Sequence, residues 1–333
     1  MRFPFTGASS VLLFSGDVPN GPGPNFLQHA GADIDGAILV WTRTGKTLVT
    51  SKMNALKAER LFGGRVLAVD WKDMGPTLKR LAPRGKVGLD LRHLRAERYV
   101  RLCKLLGAGR VMDAGGQLDD LRRVKSAGQI GKIAKAVKIS KDILDSIELK
   151  PSMTELDVVR QLAIECAERN VSFAFPPIVA AGENAREPHH EPAAKKLGYG
   201  IVLIDFGAQW QHFNADLSRC YFLGPAKEEK KKYEEAKEIH DSILDEMPSL
   251  HTGGELARFA DRQCKKKGWG RMLHAIGHGL GLEVHDPPHL GLQSKDKLQE
   301  GVVLAIEPGW YGKKFGVRYE NDVAWGKKKA RLL

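Results

Sequence analysis

Apolar and polar positions follow two different rhythms along this chain, and the change between them divides it. Over residues 1–118, short β-prone runs alternate with helical stretches. Residues 37–42 and 47–50 flank Gly45-Lys46, the signature of a hairpin. Residues 66–69 and 86–91 predict two further short strands. Residues 93–106 predict a helix that stops at Gly107, a suitable C-cap. This part reads as a small α/β unit without a phosphate-binding loop.

Residues 121–149 change character. Ile130, Ile133, Val137, Leu144 and Ile147 recur at helical spacing between Lys and Asp, which predicts one amphipathic helix closed by Pro151. A second helix opens at Thr154, with Asp157 three residues on, and places Leu156, Val159, Leu162 and Cys166 on one side. The domain boundary is expected near residue 119, giving units 1–118 and 119–333. Beyond it, strands are expected at 171–175, 201–206, 220–223, 302–306 and 317–324. Residues 227–247 predict a charged surface helix. Thr252 with Glu255 forms a capping box for another, reaching about Lys267.

Composition narrows the function classes. The 333 residues carry a formal charge of +12, but the basic residues are dispersed. The lysine runs 230–232, 265–267 and 327–329 are short and lack interleaved aromatics, so they read as solvated faces rather than a nucleic-acid stripe. No apolar run approaches the roughly 18–20 residues of a membrane span. The first residues, MRFPFTGASSVLLFSG, lack a convincing leader pattern. Cys103, Cys166, Cys220 and Cys264 are scattered without a CxxC pair, and a reducing cytoplasm is the expected location.

The chemistry concentrates after residue 200. Asp205 in LIDFG and Asp216 in FNADLSR are expected to face each other if their segments form a hairpin turning near Trp210-Gln211. Glu307 in LAIEPGW and Glu320 in GVRYEND are expected to do the same across a turn at residues 311–314. Buried carboxylates repel, and a hard divalent cation removes that cost. His278 lies between Gly277 and Gly279 in HAIGHGLGLEVHDPP, with His285 further on. Four carboxylates and one imidazole form a mixed oxygen and nitrogen site suited to Mn, Co, Fe or Zn. Two ions about 3.5–4 Å apart would use the whole set, and such a pair activates water for hydrolysis.

The pattern resembles the pita-bread metallopeptidases, the superfamily of methionine aminopeptidases, Xaa-Pro aminopeptidases and prolidases. The motif falls on Asp205, Asp216, His278, Glu307 and Glu320. The surrounding text also matches, at DFGA, ADLSR, HAIGHGLGLEVHD, IEPG and GVRYEND. The resemblance covers about residues 120–333 and extends more weakly over 1–118, which are similar to the N-terminal domain of Xaa-Pro peptidases and creatinases.

The resemblance implies an α+β protein, with a C-terminal pita-bread catalytic domain behind a smaller creatinase-like α/β domain. It implies Asp205 on one metal, Asp216 and Glu320 bridging, and His278 and Glu307 on the other. Glu307 is then the proton shuttle. His189, with Pro188 before it and Pro192 three residues on, matches a substrate-side histidine, His190 being the other register. His285 matches a second such histidine, and Arg318 an arginine near the substrate. Asp286 departs from the glutamate that many relatives carry there.

The implied activity is that of an Xaa-Pro dipeptidase or aminopeptidase acting on short peptides, as a homodimer. Methionine aminopeptidase activity and a non-catalytic pita-bread binding module are the alternatives.

Overall fold

The computed structural model describes residues 3–16, 22–326 and 329–333. Lys327 and Lys328 of the third lysine run, and the first two residues of the leader reading, lie outside them. The chain divides into two compact units, residues 1–122 and 123–333.

The first unit is built on a six-stranded mixed sheet. Its strands are β1 (Ser10–Phe14), β2 (Ile38–Thr42), β3 (Gly45–Ser51), β4 (Arg65–Val69), β5 (Val87–Leu89) and β6 (Val111–Asp113), in the order β4-β3-β2-β1-β5-β6. Helices α1 (Pro24–Ala30), α2 (Ala55–Leu61), α3 (Trp71–Leu81), α4 (Ala96–Leu106) and α5 (Gly115–Arg123) accompany it. Alternate residues of β1 serve different cores. Val11 and Leu13 join Phe26 and Trp41, whereas Leu12 and Phe14 join Met74, Leu78 and Leu102. A strand buried on both faces reads as a continuous apolar run, as SVLLF does.

In the second unit, the helix expected over 121–149 is interrupted. Residues 124–126 separate α5 from α6 (Ala127–Ser146). The Lys125 amide donates to Gly301 O at 2.8 Å instead of to a helical carbonyl. Ser126 then starts α6 with a capping box, accepting from the Gln129 amide while Gln129 accepts from its own. Such a cap contributes about 1 kcal/mol. Helix α7 (Glu155–Glu168) is capped by Thr154 and Asp157.

Two three-stranded sheets follow, built from β7 (Ser172–Phe173), β8 (Ile178–Ala181), β9 (Gly200–Phe206), β10 (Ala208–Trp210), β11 (Phe213–Asn214) and β12 (Leu217–Leu223). Strands β12-β9-β8 form one sheet and β11-β10-β7 another. Central strand β9 is again buried on both sides. Val202, Ile204 and Phe206 pack with Ile133, Val137, Val158 and Leu162 of α6 and α7. Ile201 and Leu203 pack with residues of α8 (Lys227–Glu246) and α9 (Gly253–Lys266), among them Ile239 and Leu256.

A five-stranded sheet completes the unit. It consists of β13 (Gly277–Gly279), β14 (Asp286–His289), β15 (Val303–Ile306), β18 (Asn321–Ala324) and β19 (Arg331–Leu332), in the order β14-β13-β15-β18-β19. Strands β16 (Gly309–Tyr311) and β17 (Gly316–Arg318) form a separate two-stranded ribbon, so the strand expected over 317–324 is divided at residues 319–320. Within the lysine runs, Lys232 pairs with Glu235 and Lys265 with Asp261, both at 2.7 Å. Among the described residues, no helix is long and apolar enough to cross a membrane.

Candidate active site

The site forms where strands with apolar interiors end in acids. Asp205 is the penultimate residue of β9, on the face shared by Ile201 and Leu203. Its cross-strand partner is Ser218, not Asp216. The register differs by two from expectation because the turn falls at Gln211-His212, both with positive φ. A shift of two keeps every side chain on its face. Asp216, just before β12, is therefore a diagonal neighbour of Asp205 on the same side. Glu307 and Glu320 lie opposite each other as expected, between the pairs Ile306↔Asn321 and Gly309↔Arg318.

His278 sits in the middle of β13, where the backbones crowd. A Cβ on Gly277 would lie 2.0 Å from Ala305 O, and one on Gly279 2.3 Å from Asp286 O. The flanking glycines let β13 pack closely between β14 and β15. His278 Nδ1 donates to Gly279 O at 3.0 Å. That bond leaves the Nε2 lone pair free, 3.5 Å from Asp216 Oδ2 and 3.9 Å from Glu307 Oε1. Burial, then neighbouring His285, lowers the His278 pKa to about 4, so the ring is neutral and able to ligate.

Asp216, His278 and Glu320 each offer one ligand atom within 4.8 Å of the others. Glu307 adjoins them through His278. Asp205 stands to the Arg318 side, its Oδ2 accepting from Arg318 Nη2 at 2.6 Å. Glu320 Oε2 accepts from Ser218 Oγ at 2.7 Å. The other oxygens, Asp205 Oδ1 and Glu320 Oε1, are buried without a hydrogen-bond partner among the described residues.

Burial raises the carboxyl pKa values of Asp216, Glu307 and Glu320. Repulsion within the group raises them further, chiefly from Glu320 for the first two and from Asp205 for Glu320, which is pushed up to about 8. Unpartnered carboxylate oxygens, repelling acids and a neutral imidazole are what a divalent cation would satisfy. The residues present fit such an ion.

Arg318, expected near the substrate, anchors a polar chain behind these acids whose other members the sequence reading missed. Arg318 is 2% exposed; its Nε donates to Ser218 Oγ and its Nη1 to Tyr311 OH, both at 2.8 Å. Tyr311 OH donates in turn to His274 Nε2 at 2.8 Å. His274 lies one helical turn's count before His278 in the same motif, which was its only sequence signal. Asp322 Oδ2 accepts from the Asp216 amide.

Beside the acids opens a cavity of about 830 Å³. His189 and His285 line it together with Arg318, and Phe175, Pro176 and Leu290 give it apolar walls. The His278 and His285 rings meet edge to face, with centroids 4.3 Å apart. His190, the other register, is turned to a buried glutamate, Glu155.

Comparison with known proteins places the chain among peptidases in sequence and in fold. The chain is 33% identical over 227 residues to the Xaa-Pro dipeptidase of Pyrococcus horikoshii, covering 64% of this chain and 63% of that protein. It is 33% identical over 218 residues to an uncharacterized peptidase of Methanocaldococcus jannaschii, covering 62% and 61%. The match thus spans under two thirds of these curated relatives' length.

Solved structures extend the likeness. The prolidase of Pyrococcus horikoshii superposes with a TM-score of 0.88 at 26% identity, over 98% of this chain and 93% of that one. The X-Pro aminopeptidase of Thermotoga maritima gives 0.87 at 25%, over 98% and 95%. The two share a pita-bread fold with this chain. The sequence profile of metallopeptidase family M24, whose members work with divalent metal, matches residues 131–326. The chain belongs to metallopeptidase family M24.

Proposed function

We propose that this protein is a metal-dependent exopeptidase that hydrolyses short peptides with proline after the scissile bond, as an Xaa-Pro dipeptidase or aminopeptidase. The observation that carries the reading is the convergence of Asp216, His278 and Glu320, with Asp205 and Glu307 beside them, at the wall of a cavity lined by two further histidines. The similarity to an Xaa-Pro dipeptidase and to prolidase structures supports it.

The five residues suit two divalent ions of Mn, Co, Zn or Fe. His278 and Glu307 would hold one, Asp205 the other, and Asp216 and Glu320 would lie between. Bound there, the ions would polarise the peptide carbonyl and supply hydroxide near neutral pH. Glu307 is the proton carrier: it stands at the cavity wall beside His278, where a carboxylate can take a proton from water and hand it on. His189 and His285 donate hydrogen bonds to the carbonyl oxygen as charge develops on it. Arg318 orients Asp205 and closes the substrate end. Phe175, Pro176 and Leu290 offer apolar surface suited to a pyrrolidine ring.

All four cysteines are free, which supports a reducing, cytoplasmic setting. The reading includes a homodimer, checked by light scattering of the eluted protein.

The test is turnover by chelated protein resupplied with Mn, Co, Zn or Fe, against Xaa-Pro dipeptides and longer Xaa-Pro peptides. The expected result is ion-dependent cleavage before proline, lost in Asp216→Ala. Cleavage of Met-Ala peptides without action on Xaa-Pro bonds would overturn it in favour of methionine aminopeptidase activity.

A further inference from the structure

His189 projects into the cavity, yet its side chain makes no hydrogen bond among the described residues, and it is exposed. Something other than its own contacts must aim it. The segment that carries it, residues 181–195, has little regular structure beyond a short 3₁₀ turn, Gly182–Arg186.

That segment is bound to one side chain. Glu155, the first residue of α7, is fully buried, and both its oxygens are used twice. Oε1 accepts from the Ala181 amide at 2.8 Å and from Asn184 Nδ2 at 2.9 Å. Oε2 accepts from His190 Nε2 and from the Ala193 amide, each at 2.9 Å. Four donors from positions on both sides of residue 189 thus converge on one carboxylate. Lys195 Nζ adds bonds to Ala181 O and Asn184 Oδ1 at 3.0 Å. The Glu155 amide itself donates to Lys195 O. On the cavity side, Arg318 Nη1 donates to Pro188 O at 3.1 Å. A carboxylate at a helix N-terminus is favoured by the helix dipole, which helps to offset its burial.

We propose that Glu155 is the positioning residue for His189: it fixes the segment 181–193 so that the imidazole faces the reacting carbonyl. It touches neither substrate nor metal ligand. The proposal deepens the peptidase reading and rests on it for the role of His189 in turnover. The adjacent pair of histidines then divides its work, His190 serving as the tether and His189 as the working group.

Glu155→Gln tests it. An amide cannot accept at both ends, so one of its N–H groups is forced against a donor. The expected loss in kcat is about 10–100-fold, the range for supporting groups that orient a reacting one. In a His189→Ala background the same substitution should change kcat less than about threefold, because coupled residues are non-additive. Hydrogen exchange at the Ala181 and Ala193 amides should accelerate, while calorimetric affinity for Mn stays within about threefold. Equal losses of kcat in both backgrounds, or unchanged exchange at those amides, would overturn the proposal.

Should Glu155→Gln fail to fold, Asn184→Ala removes one of the four donors and should act in the same direction, by about 3–10-fold. Should the wild type leave Xaa-Pro peptides intact, the peptidase reading fails, and Glu155 is then judged by exchange and by the His189 ring NMR signals. Signals unmoved by Glu155→Gln would refute it independently.

Discussion

Asp322 Oδ2 accepts the backbone amide proton of Asp216 at 2.9 Å, and Asp322 is itself 1% exposed. The acid two residues past Glu320 therefore holds the main chain of the acid facing His278. Asp322→Ala leaves that amide buried without its acceptor. The expected cost is about 1–3 kcal/mol in denaturant melts. Metal affinity measured by calorimetry should fall about 10–100-fold. An unchanged affinity would show that Asp216 is placed by other means.

Metal removal should make the protein sensitive to rising pH. Burial, then repulsion from Asp205, raises the Glu320 carboxyl from its ordinary 4.5 to about 8. Between those values the unfolded chain releases a proton that the folded chain keeps. The stability this contributes is full below 4.5 and is lost as pH rises through about 8. Chelated protein should melt at progressively lower temperature across that window. Divalent ion should restore the melting temperature at the alkaline end, and Glu320→Gln should flatten the slope. A melting curve indifferent to both would contradict the site.

The N-terminal unit should behave in the opposite sense. Burial, then Lys46 and Arg122, lowers the His29 pKa from 6.5 to about 3. Its Nε2 has no hydrogen-bond partner among the described residues. The folded form resists a proton that the unfolded form accepts below 6.5, so stability present above 6.5 is lost as pH falls toward 3. His29→Gln should shift the acid-unfolding midpoint to lower pH. A midpoint that does not move would mean that other groups dominate acid unfolding.

Lys125 and Asp286 form an ion pair at 3.3 Å, with side chains 3% and 2% exposed. Removing one member of such a pair costs about 3–5 kcal/mol. Lys125→Met should show that loss in urea unfolding. Lys125→Met with Asp286→Asn should recover part of it, since no buried carboxylate is then left without its cation. Because Asp286 follows His285 directly, kcat should fall in the single variant more than in the double.

What could be read in advance follows from physics that acts locally. Strand periodicity puts Asp205 and Asp216 on one face whether the register is as expected or displaced by two. The displacement itself was illegible, because Gln211 and His212 take positive φ without a glycine to announce it. Ser218, His274, Tyr311 and Asp322 were missed because ordinary residues acquire their importance only from what folding brings beside them. In the first unit, SVLLF drew attention as a failed leader and not as the strand β1. Helix α3 was hidden by Gly75 and Pro76 inside it, residues that ordinarily argue against a helix. The break at residues 124–126 depended on a bond from Lys125 to distant Gly301.

The hydrogen bond from Ser218 Oγ to Glu320 Oε2 has a consequence for biosynthesis. Asp205 and Asp216 leave the ribosome long before Glu320, and until that residue emerges the acids have no complete partner set. On the proposed reading, translation products that stop short of Glu320 should bind no divalent ion, since the last strands bring the final acid to the others.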